Sequence, residues 1–502
     1  MKMVLPDLTP LARAYTRRRL RALAGQHPAE TQRRLLLGLV KHAAGTRFGR
    51  DHGFSRIASV NEFQARVPLR RYDALWREYW EGAYPILDGM TWPGAIPYIA
   101  FTSGTSSNSA KNIPISPALL AANRRAALEV MVHHLANRPE SRAMGGQSFM
   151  LGGSSDLAEV APGVRRGDLS GIAACEVPLW ARPYSFPPIE EALETDWDAK
   201  IDRLAKLACG RDIRSISGTP SWVLLFFERM GKRAADLFPH LEAYIHGGVS
   251  IRPYTQAFAR LLEGTHAEMR EVYPASEGFI AVADRGFGEG LRLLVDNGLF
   301  FEFVPVAELD RSSPTRHWLG NAETGIDYAL VLSTCAGLWA YVIGDVVRLV
   351  ERAPPRLLVV GRTSYMLNVF GEHLSGEQIE DAVLAAAGGA AINDYAAGAQ
   401  SQDGRGRHVF VMEFALPADV AAFATALDRH LCAGSLDFRE RRAGNVSLDA
   451  PHVVAVPPGF FAGWMKHRGR LGGQNKVPRV INDERLLADL LKEAECAKGS
   501  RP

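Results

Sequence analysis

The chain has 502 residues, 47% of them apolar and 23% charged, a soluble globular composition too long for one core, so two or more domains are expected. Its 58 basic and 55 acidic residues leave a net charge of +3, which gives no electrostatic reason to expect nucleic acid or an anionic membrane as partner. The five cysteines are scattered with no C-x-x-C pair, which excludes a zinc frame or disulfide scaffold and fits a reducing cytoplasm, and no apolar run reaches the ~18 residues that span a bilayer.

The start, Met1 to Pro6, has no secretory apolar stretch. Apolar spacing then predicts helices over Leu8 to Ala24 and Ala29 to Ala44. Arg13, Arg17, Arg18, Arg19 and Arg21 make the first of them basic, which reads as a solvated face. Thr46 to Phe54 is turn-rich, and Val67-Pro68-Leu69 leads to a helix entry at Tyr72-Asp73. The apolar run Ile96 to Ala100 precedes a hydroxyl-rich stretch, Phe101 to Lys111, and a long helix follows over Pro117 to Ala136. Strands are expected over Ser148 to Leu151, Ile213 to Ile216, Leu241 to Ile245, Glu268 to Val272 and Tyr328 to Leu332, with helices over Pro220 to Gly231 and Pro253 to Glu263 between them. That alternation is an α/β body. Gly288-Glu289-Gly290 and the aromatic run Leu299 to Val304 add an antiparallel hairpin region. The charged, proline-bearing stretch Glu351 to Arg356 reads as a domain junction, followed by a strand over Leu357 to Val360 and then Gly361-Arg362. Beyond it come a helix over Ser375 to Ala387, a strand over His408 to Phe414, a helix over Ala418 to Cys432, a strand over Val453 to Val456 and a helix over Asn482 to Ala494. This is a small α+β lid of roughly 140 residues, an ordinary domain size, so the domains are 1–360 and 361–502.

Four stretches carry chemistry. In Thr102-Ser103-Gly104-Thr105-Ser106-Ser107-Asn108-Ser109-Ala110-Lys111, small residues let backbone N–H groups turn toward one anion, hydroxyls add donors and Lys111 adds positive charge. An ordinary polar loop has the same composition, and the Gly-Lys-Thr of a Walker loop is absent. Val272-Tyr273-Pro274-Ala275-Ser276-Glu277-Gly278 offers a ring for a base and a carboxylate for Mg²⁺, although a strand-end tyrosine also serves as core. In Gly337 to Val347, Asp345 follows Gly344 at a strand junction and can accept from ribose hydroxyls, as acidic residues do in dinucleotide sites, or can be a turn aspartate. In Gly472-Gly473-Gln474-Asn475-Lys476-Val477-Pro478-Arg479, flexible glycines precede a lysine and Pro478 stiffens the chain beyond it.

The ordered set T-S-G-T-S-S-x-x-x-K, Y-P-A-S-E-G, Y-V-I-G-D-V-V and Q-N-K-V-P-R resembles the Gretchen Hagen family of acyl acid amido synthetases, named for auxin-responsive plant proteins and related to firefly luciferase. This resemblance, over nearly the whole chain and to a bacterial-type member, implies a large adenylate-forming α/β domain with mixed sheets and a β-barrel-like part, plus a mobile C-terminal lid. It implies ATP-dependent conversion of a carboxylic acid to an acyl-AMP, then capture by an amine, typically of an amino acid. Ser103, Gly104, Thr105, Ser106, Ser107 and Lys111 would hold phosphates; Tyr273 and Ser276 would lie by the nucleotide; Glu277 would carry Mg²⁺; Asp345 would bind ribose. Arg362 joins the nucleotide set near the expected hinge, and Lys476 would arrive with the lid to neutralise developing charge. For the acid, the fold implies a pocket between the helix after Thr219 and the glycine-rich His246-Gly247-Gly248-Val249, with Trp222, Leu225, Phe226 and Val249 as walls and His246 orienting the carboxylate or acting as base. The same residues can also be plain core. The enzyme is expected to act as a cytoplasmic monomer, without nucleic acid or membrane.

The chain departs from the family pattern at three places: Asn108 stands for a usual glycine, Val342 for an arginine and His373 for a lysine. Asparagine tolerates positive φ, while roles of the replaced arginine and lysine do not carry over. Rival readings are a thiol acceptor such as coenzyme A, a Ser-Ser-Lys amidase suggested by Gly152-Gly153-Ser154-Ser155, and a nucleotide-binding protein without turnover. Zinc catalysis and a Rossmann cofactor lack their motifs.

Overall fold

The computed structural model describes residues 5–102, 111–152, 157–194, 197–286, 288–363, 366–367, 374–402, 405–442, 448–468 and 477–499. The chain divides into two compact units. The first comprises the described residues of Met1–Ser103, Ser109–Val249 and Leu261–Val359, and the second those of Ser250–Arg260 and Val360–Pro502.

In the first unit, helices Thr9–Ala24 and Pro28–Ala43 each carry proline in the first turn, where its missing N–H costs nothing. The basic first helix is only partly a solvated face. Arg13 Nη2 donates to the Ser141 carbonyl at 2.7 Å, and Arg19 pairs with Glu129 and Asp296, each at 2.9 Å, so two of its five arginines dock the helix. The turn-rich Thr46 to Phe54 is core: Phe48 and Phe54 are buried against Trp339. Gly49 is required there because a Cβ would lie 2.2 Å from the Ala43 carbonyl oxygen.

Twelve of the described strands form one sheet. Its order is His317–Trp318, Leu299–Pro305, Asp327–Thr334, Tyr341–Arg352, Pro355–Arg362, Leu291–Leu293, Gly278–Val282, Glu268–Ala275, Ala243–Gly247, Ile213–Gly218, Gln147–Leu151 and Ser185–Phe186. The last five are mutually parallel, and the neighbours before them that have a recorded register are antiparallel. Strands Leu299–Pro305 and Asp327–Thr334 are buried at nearly every position, which explains why they read as continuous apolar runs rather than alternating ones. The antiparallel hairpin region expected around Leu299 to Val304 is part of this sheet. The stretch Glu351 to Arg356 is a reversal between strands Tyr341–Arg352 and Pro355–Arg362, and the division between the units falls just beyond it, at Val359/Val360. Its charges are absorbed locally, Arg356 pairing with both Glu351 and Asp284.

A second sheet of the first unit has the order Lys111–Ile115, Tyr98–Thr102, Val164–Gly167 and Ala158–Ala161. Lys111–Ile115 is its edge strand, the position where Pro114 is tolerated.

In the second unit four strands lie in the order His452–Val456, Arg405–Phe414, Ile392–Gln402 and Val480–Ile481. Helix Gly376–Ala387 starts with a reciprocal cap between Ser375 and Gln378, and the unit also holds helices Val420–Gly434, Leu436–Arg442, Phe460–His467 and Glu484–Gly499 and the short strand pair Met366–Leu367 and Leu374–Ser375. The segment expected as a body helix over Pro253 to Glu263 is a short turn, Arg252–Tyr254, and a helix, Thr255–Leu261, most of which is grouped with this unit. No helix among the described residues is long and apolar enough to cross a membrane.

Candidate functional site

The hydroxyl-rich stretch lies between paired strand ends, since Thr102 stands opposite Lys111 in the antiparallel pair Tyr98–Thr102 and Lys111–Ile115. Ser103, Gly104, Thr105, Ser106 and Ser107, and with them Asn108, lie outside the described residues. The expected order of strand, anion loop and helix is therefore corrected. Lys111 opens a strand, and helix Pro117–Asn137 begins six residues later with its own cap, Ser116 Oγ accepting from the Leu119 N–H at 3.1 Å. A hairpin forms because Ile113 and Ile115 are fully buried and need a pleated partner.

Lys111 is half-buried. Its Nζ donates to Tyr341 Oη at 3.4 Å and lies 5.8 Å from the Tyr72 ring centroid and 5.9 Å from that of Tyr341. A cation between two aromatic faces is held by their quadrupoles. Tyr72 is fixed in turn by the Asn112 N–H, which donates to its oxygen at 2.9 Å. Neither tyrosine was singled out from the sequence, although Tyr341 opens the third motif. The backbone behind that motif is buttressed by Arg70, whose N–H donates to the Ala340 carbonyl at 3.0 Å and whose carbonyl accepts from Val342 at 2.9 Å.

Tyr273 lies inside strand Glu268–Ala275 rather than beyond a strand ending at Val272. Ser276 and Glu277 form the two-residue turn into Gly278–Val282, with Gly278 paired to Ala275, and both are 7% exposed. Gly278 has φ +151, and a Cβ there would meet Leu299 Cδ2 at 2.7 Å, so the glycine of this motif is demanded twice over. Asp345 is corrected from a strand junction to the interior of strand Tyr341–Arg352. The register runs from Ala329 opposite Val346 to Val331 opposite Val342, so Ile343, Gly344 and Asp345 bulge against Leu330 alone. A bulge re-aims a side chain, and Gly344 supplies the positive φ of +96 within it.

Tyr273 Oη donates to Asp345 Oδ2 at 2.5 Å. In the sheet their strands are four steps apart, about 19 Å for a flat sheet at ~4.8 Å per step. The contact therefore requires the sheet to curl strongly here, as the register shifts at Phe279/Ala281 and Ala329/Val331 permit. The Tyr273 ring is 7% exposed and belongs to the large core cluster. It is thus a core ring whose hydroxyl reaches Asp345.

The parallel strands end together, at Leu151, Gly218, Gly247 and Ala275, which places Thr219, Gly248, Ser276 and Glu277 along the edge where open α/β sheets bind ligands. Thr219, Trp222 and Val249 are half-buried and Gly248 is exposed with φ +81. Phe226 is no wall: it is fully buried, with ring centroids 5.0 Å from Phe149 and 5.3 Å from Phe227. Gly247 permits close approach to the neighbouring strand, since a Cβ would stand 2.2 Å from the Val272 carbonyl oxygen. His246 is 1% exposed, and burial pushes its imidazole down to about 4, so it is neutral at pH 7 and brings no positive charge to a carboxylate. A small open cleft of about 80 Å³ between Tyr15, Arg19, Glu129 and Asn297 contains none of the motif residues.

No group of three or more metal-ligating side chains occurs among the described residues. Glu277 nonetheless suits Mg²⁺ carried by a nucleotide, because that ion keeps its waters and phosphates and takes only one or two carboxylates. Arg362 ends strand Pro355–Arg362, half-buried and grouped with the second unit. Lys476 and His373 lie outside the described residues.

Models of the GH3 family's N-terminal, central and C-terminal domains match residues 19–155, 292–362 and 377–485. Among curated proteins, an indole-3-acetic acid-amido synthetase, GH3.8 of Oryza sativa subsp. indica, is 27% identical over 207 residues, 38% of this chain and 34% of the relative. A jasmonoyl-L-amino acid synthetase, JAR4 of Nicotiana attenuata, is 30% identical over 160 residues, 30% of this chain and 27% of the relative. These matches thus span about a third of the relatives' length. The structure of the AtGH3.15 acyl acid amido synthetase in complex with 2,4-DB superposes with a TM-score of 0.80 at 16% identity, covering 95% of each chain. A 2-hydroxyisobutyryl-CoA ligase in the postadenylation state with 2-HIB-AMP gives 0.61 at 15% identity, covering 92% and 91%. At these identities the likeness is one of fold.

Proposed function

The chain belongs to the GH3 family, and on that premise we propose that it is an ATP-dependent acyl acid amido synthetase, joining a carboxylic acid to the amine of an amino acid. The observation that carries this reading is the meeting of Tyr273 with Asp345, which joins the second and third motifs at one point of a curled sheet.

A carboxylate is a poor electrophile at neutral pH and must first acquire a leaving group. One of its oxygens attacks the α-phosphorus of ATP, forming the acyl–phosphate anhydride while pyrophosphate departs with the electron pair of the broken P–O bond. The amine nitrogen then attacks the carbonyl carbon, AMP leaves, and the nitrogen gives up a proton to leave the amide. Stabilising charge at phosphorus is the main electrostatic task of the first step. Asp345, with four lone-pair sites on its carboxylate, accepts from Tyr273 and from ribose hydroxyls. Ser276 lies beside the nucleotide. Ser103, Gly104, Thr105, Ser106, Ser107 and Lys111 hold the phosphates, with Arg362 completing the nucleotide contacts. Glu277 would hold Mg²⁺, which neutralises phosphate charge when bound. Lys476 acts on the transition state of adenylation from the C-terminal unit, residues 361–502, a lid that adopts two orientations in the cycle. Thr219, Trp222 and Val249 border the acid, and the enzyme works as a cytoplasmic monomer.

The test is ATP–pyrophosphate exchange over a panel of aromatic, indolic and fatty acids, followed by mass spectrometry with pooled amino acids and, separately, with coenzyme A. Exchange with at least one acid and an amide product are expected. A thioester without amide would replace the acceptor, and absence of exchange over the whole panel would overturn the reading.

A further inference from the structure

The second unit holds a buried ionic cluster to which the reaction above assigns no part. Arg479 stands three residues beyond Lys476 in the fourth motif. Its Nη1 pairs with Asp394 Oδ1 at 2.9 Å, with the two side chains 19% and 14% exposed. Its Nη2 donates to Tyr254 Oη at 3.1 Å, and the guanidinium carbon lies 4.3 Å from the Tyr395 ring centroid and 5.9 Å from that of Tyr254. The Arg479 carbonyl accepts from the Ala397 N–H at 2.9 Å, which fixes the backbone just before strand Val480–Ile481. Tyr254 is 5% exposed and Tyr395 2%.

Three distant pieces of chain therefore converge on one side chain. Asp394 and Tyr395 come from strand Ile392–Gln402, Arg479 from the fourth motif, and Tyr254 from the Ser250–Arg260 strap that directly follows His246-Gly247-Gly248-Val249. A second ionic contact holds the strap nearby: Arg252 Nη2 pairs with Asp381 Oδ1 at 2.5 Å and its Nη1 lies 3.8 Å from Glu380 Oε2. Only a planar fork can satisfy a carboxylate and a phenol while stacking on a ring, so lysine would not substitute for Arg479. Its charge is compensated by Asp394, since removing either partner would leave the other stranded in a low-dielectric site.

We propose that Arg479 is a positioning residue for the adenylation step, a clamp that sets the register of the fourth-motif stretch and binds the strap leaving the acyl-site edge to that same stretch. The inference rests on the amido synthetase reading. It gives the strap a purpose: the chain leaving the proposed acid site is fastened to the piece that carries the proposed adenylation lysine.

The experiment compares full-length wild type with Arg479→Lys and Tyr254→Phe, the second of which keeps the buried ring and removes only the hydroxyl. Exchange kinetics, thermal midpoint and hydrogen exchange of residues 250–260 are read for each. Arg479→Lys should lower kcat of ATP–pyrophosphate exchange about tenfold, Tyr254→Phe about threefold, with KM for ATP within about twofold, because a misplaced group acts on the transition state rather than on ground-state binding. Exchange of residues 250–260 should quicken in both variants while other amides of the second unit keep their protection. Unchanged kcat in Arg479→Lys, or a fall matched by loss of protection throughout the unit, would overturn the positioning role. If wild type exchanges pyrophosphate with no acid, the amido synthetase reading fails instead, and hydrogen exchange still decides whether the clamp exists.

Discussion

Two carboxylates of the first unit, Asp284 just beyond strand Gly278–Val282 and Asp345 within strand Tyr341–Arg352, show how differently a guanidinium and a phenol hold the same group. Asp284 is held in two parallel bonds by Arg356, Nε to Oδ1 at 2.9 Å and Nη2 to Oδ2 at 2.6 Å, and both side chains are 5% exposed. Arg292 lies 3.7 Å away, and the Arg356 pairing outweighs burial, keeping the Asp284 carboxyl below its ordinary range. Asp345 is half-buried and bonded by the neutral phenol of Tyr273. A phenol orients a carboxylate without neutralising it, whereas a bidentate guanidinium consumes both its geometry and its charge. Under the proposed function the phenol-bonded carboxylate is the one that serves the nucleotide, and the guanidinium-bonded one serves stability.

The contrast breaks most readily at Asp284. Arg356→Leu leaves that carboxylate buried with only the more distant Arg292 beside it, and should cost ~3–5 kcal/mol of stability, read as a lower midpoint in urea unfolding. A variant as stable as wild type would mean the pair is idle. At the other carboxylate the effect moves from stability to turnover. Asp345→Ala should lower kcat/KM for ATP about a hundredfold, since hydrogen bonds to a charged group contribute ~1.5–3 kcal/mol each, while the unfolding midpoint stays near wild type. Full exchange activity in that variant would remove Asp345 from the nucleotide site.

Acid acts with opposite sign on buried groups of the two units. His133, His134 and His246, all in the first unit, are each pushed down to about 4 by burial, against ~6.5 in an unfolded chain. Between those values the unfolded chain binds more protons, so stability falls as pH drops from about 6.5 toward about 4, by up to ~1.4 kcal/mol per pH unit for each ring. Asp394 in the second unit runs the other way. Burial pushes its carboxyl up to about 6 despite Arg479, so the folded form takes up the proton first and this site favours folding over the same descent. Hydrogen exchange followed from pH 7 to 5 should show the first unit loosening before the second, and equal loosening would contradict this. The smallest expected effect is Tyr273→Phe, a several-fold rise in KM for ATP from ~1 kcal/mol of lost orientation, with kcat nearly kept.

The motifs were legible because each is a local string, and within the first unit the structure brings Lys111 to Tyr341 and Tyr273 to Asp345. The family resemblance had already placed Tyr273 and Asp345 at one nucleotide, but their direct bond was not legible. Tyr273 and Asp345 are 72 residues apart, and only the curl of the sheet joins them. Strand Ile392–Gln402 went unread because its sequence, rich in alanine and polar residues, has little strand preference. Pairing on both sides, with Arg405–Phe414 and Val480–Ile481, imposes the form. Glu351 to Arg356 looked like a linker because charge and proline mark both a hairpin turn and an interdomain tether. Phe226 and Gly247 were placed beside a ligand because burial on a strand or helix neighbour leaves the same mark in a sequence as burial on a substrate. The strap 250–260 joined the second unit through side chains such as Tyr254 whose partners lie more than 100 residues away, beyond any local pattern.

The central claim is that this chain makes an acyl-adenylate. Rapid-quench mass spectrometry of one turnover, with ATP and an accepted acid but no amine, measures it directly. The expected result is acyl-AMP and pyrophosphate in equal amounts, converted to amide when an amino acid is added. Release of ADP and phosphate, or AMP with no anhydride at any time, would contradict it.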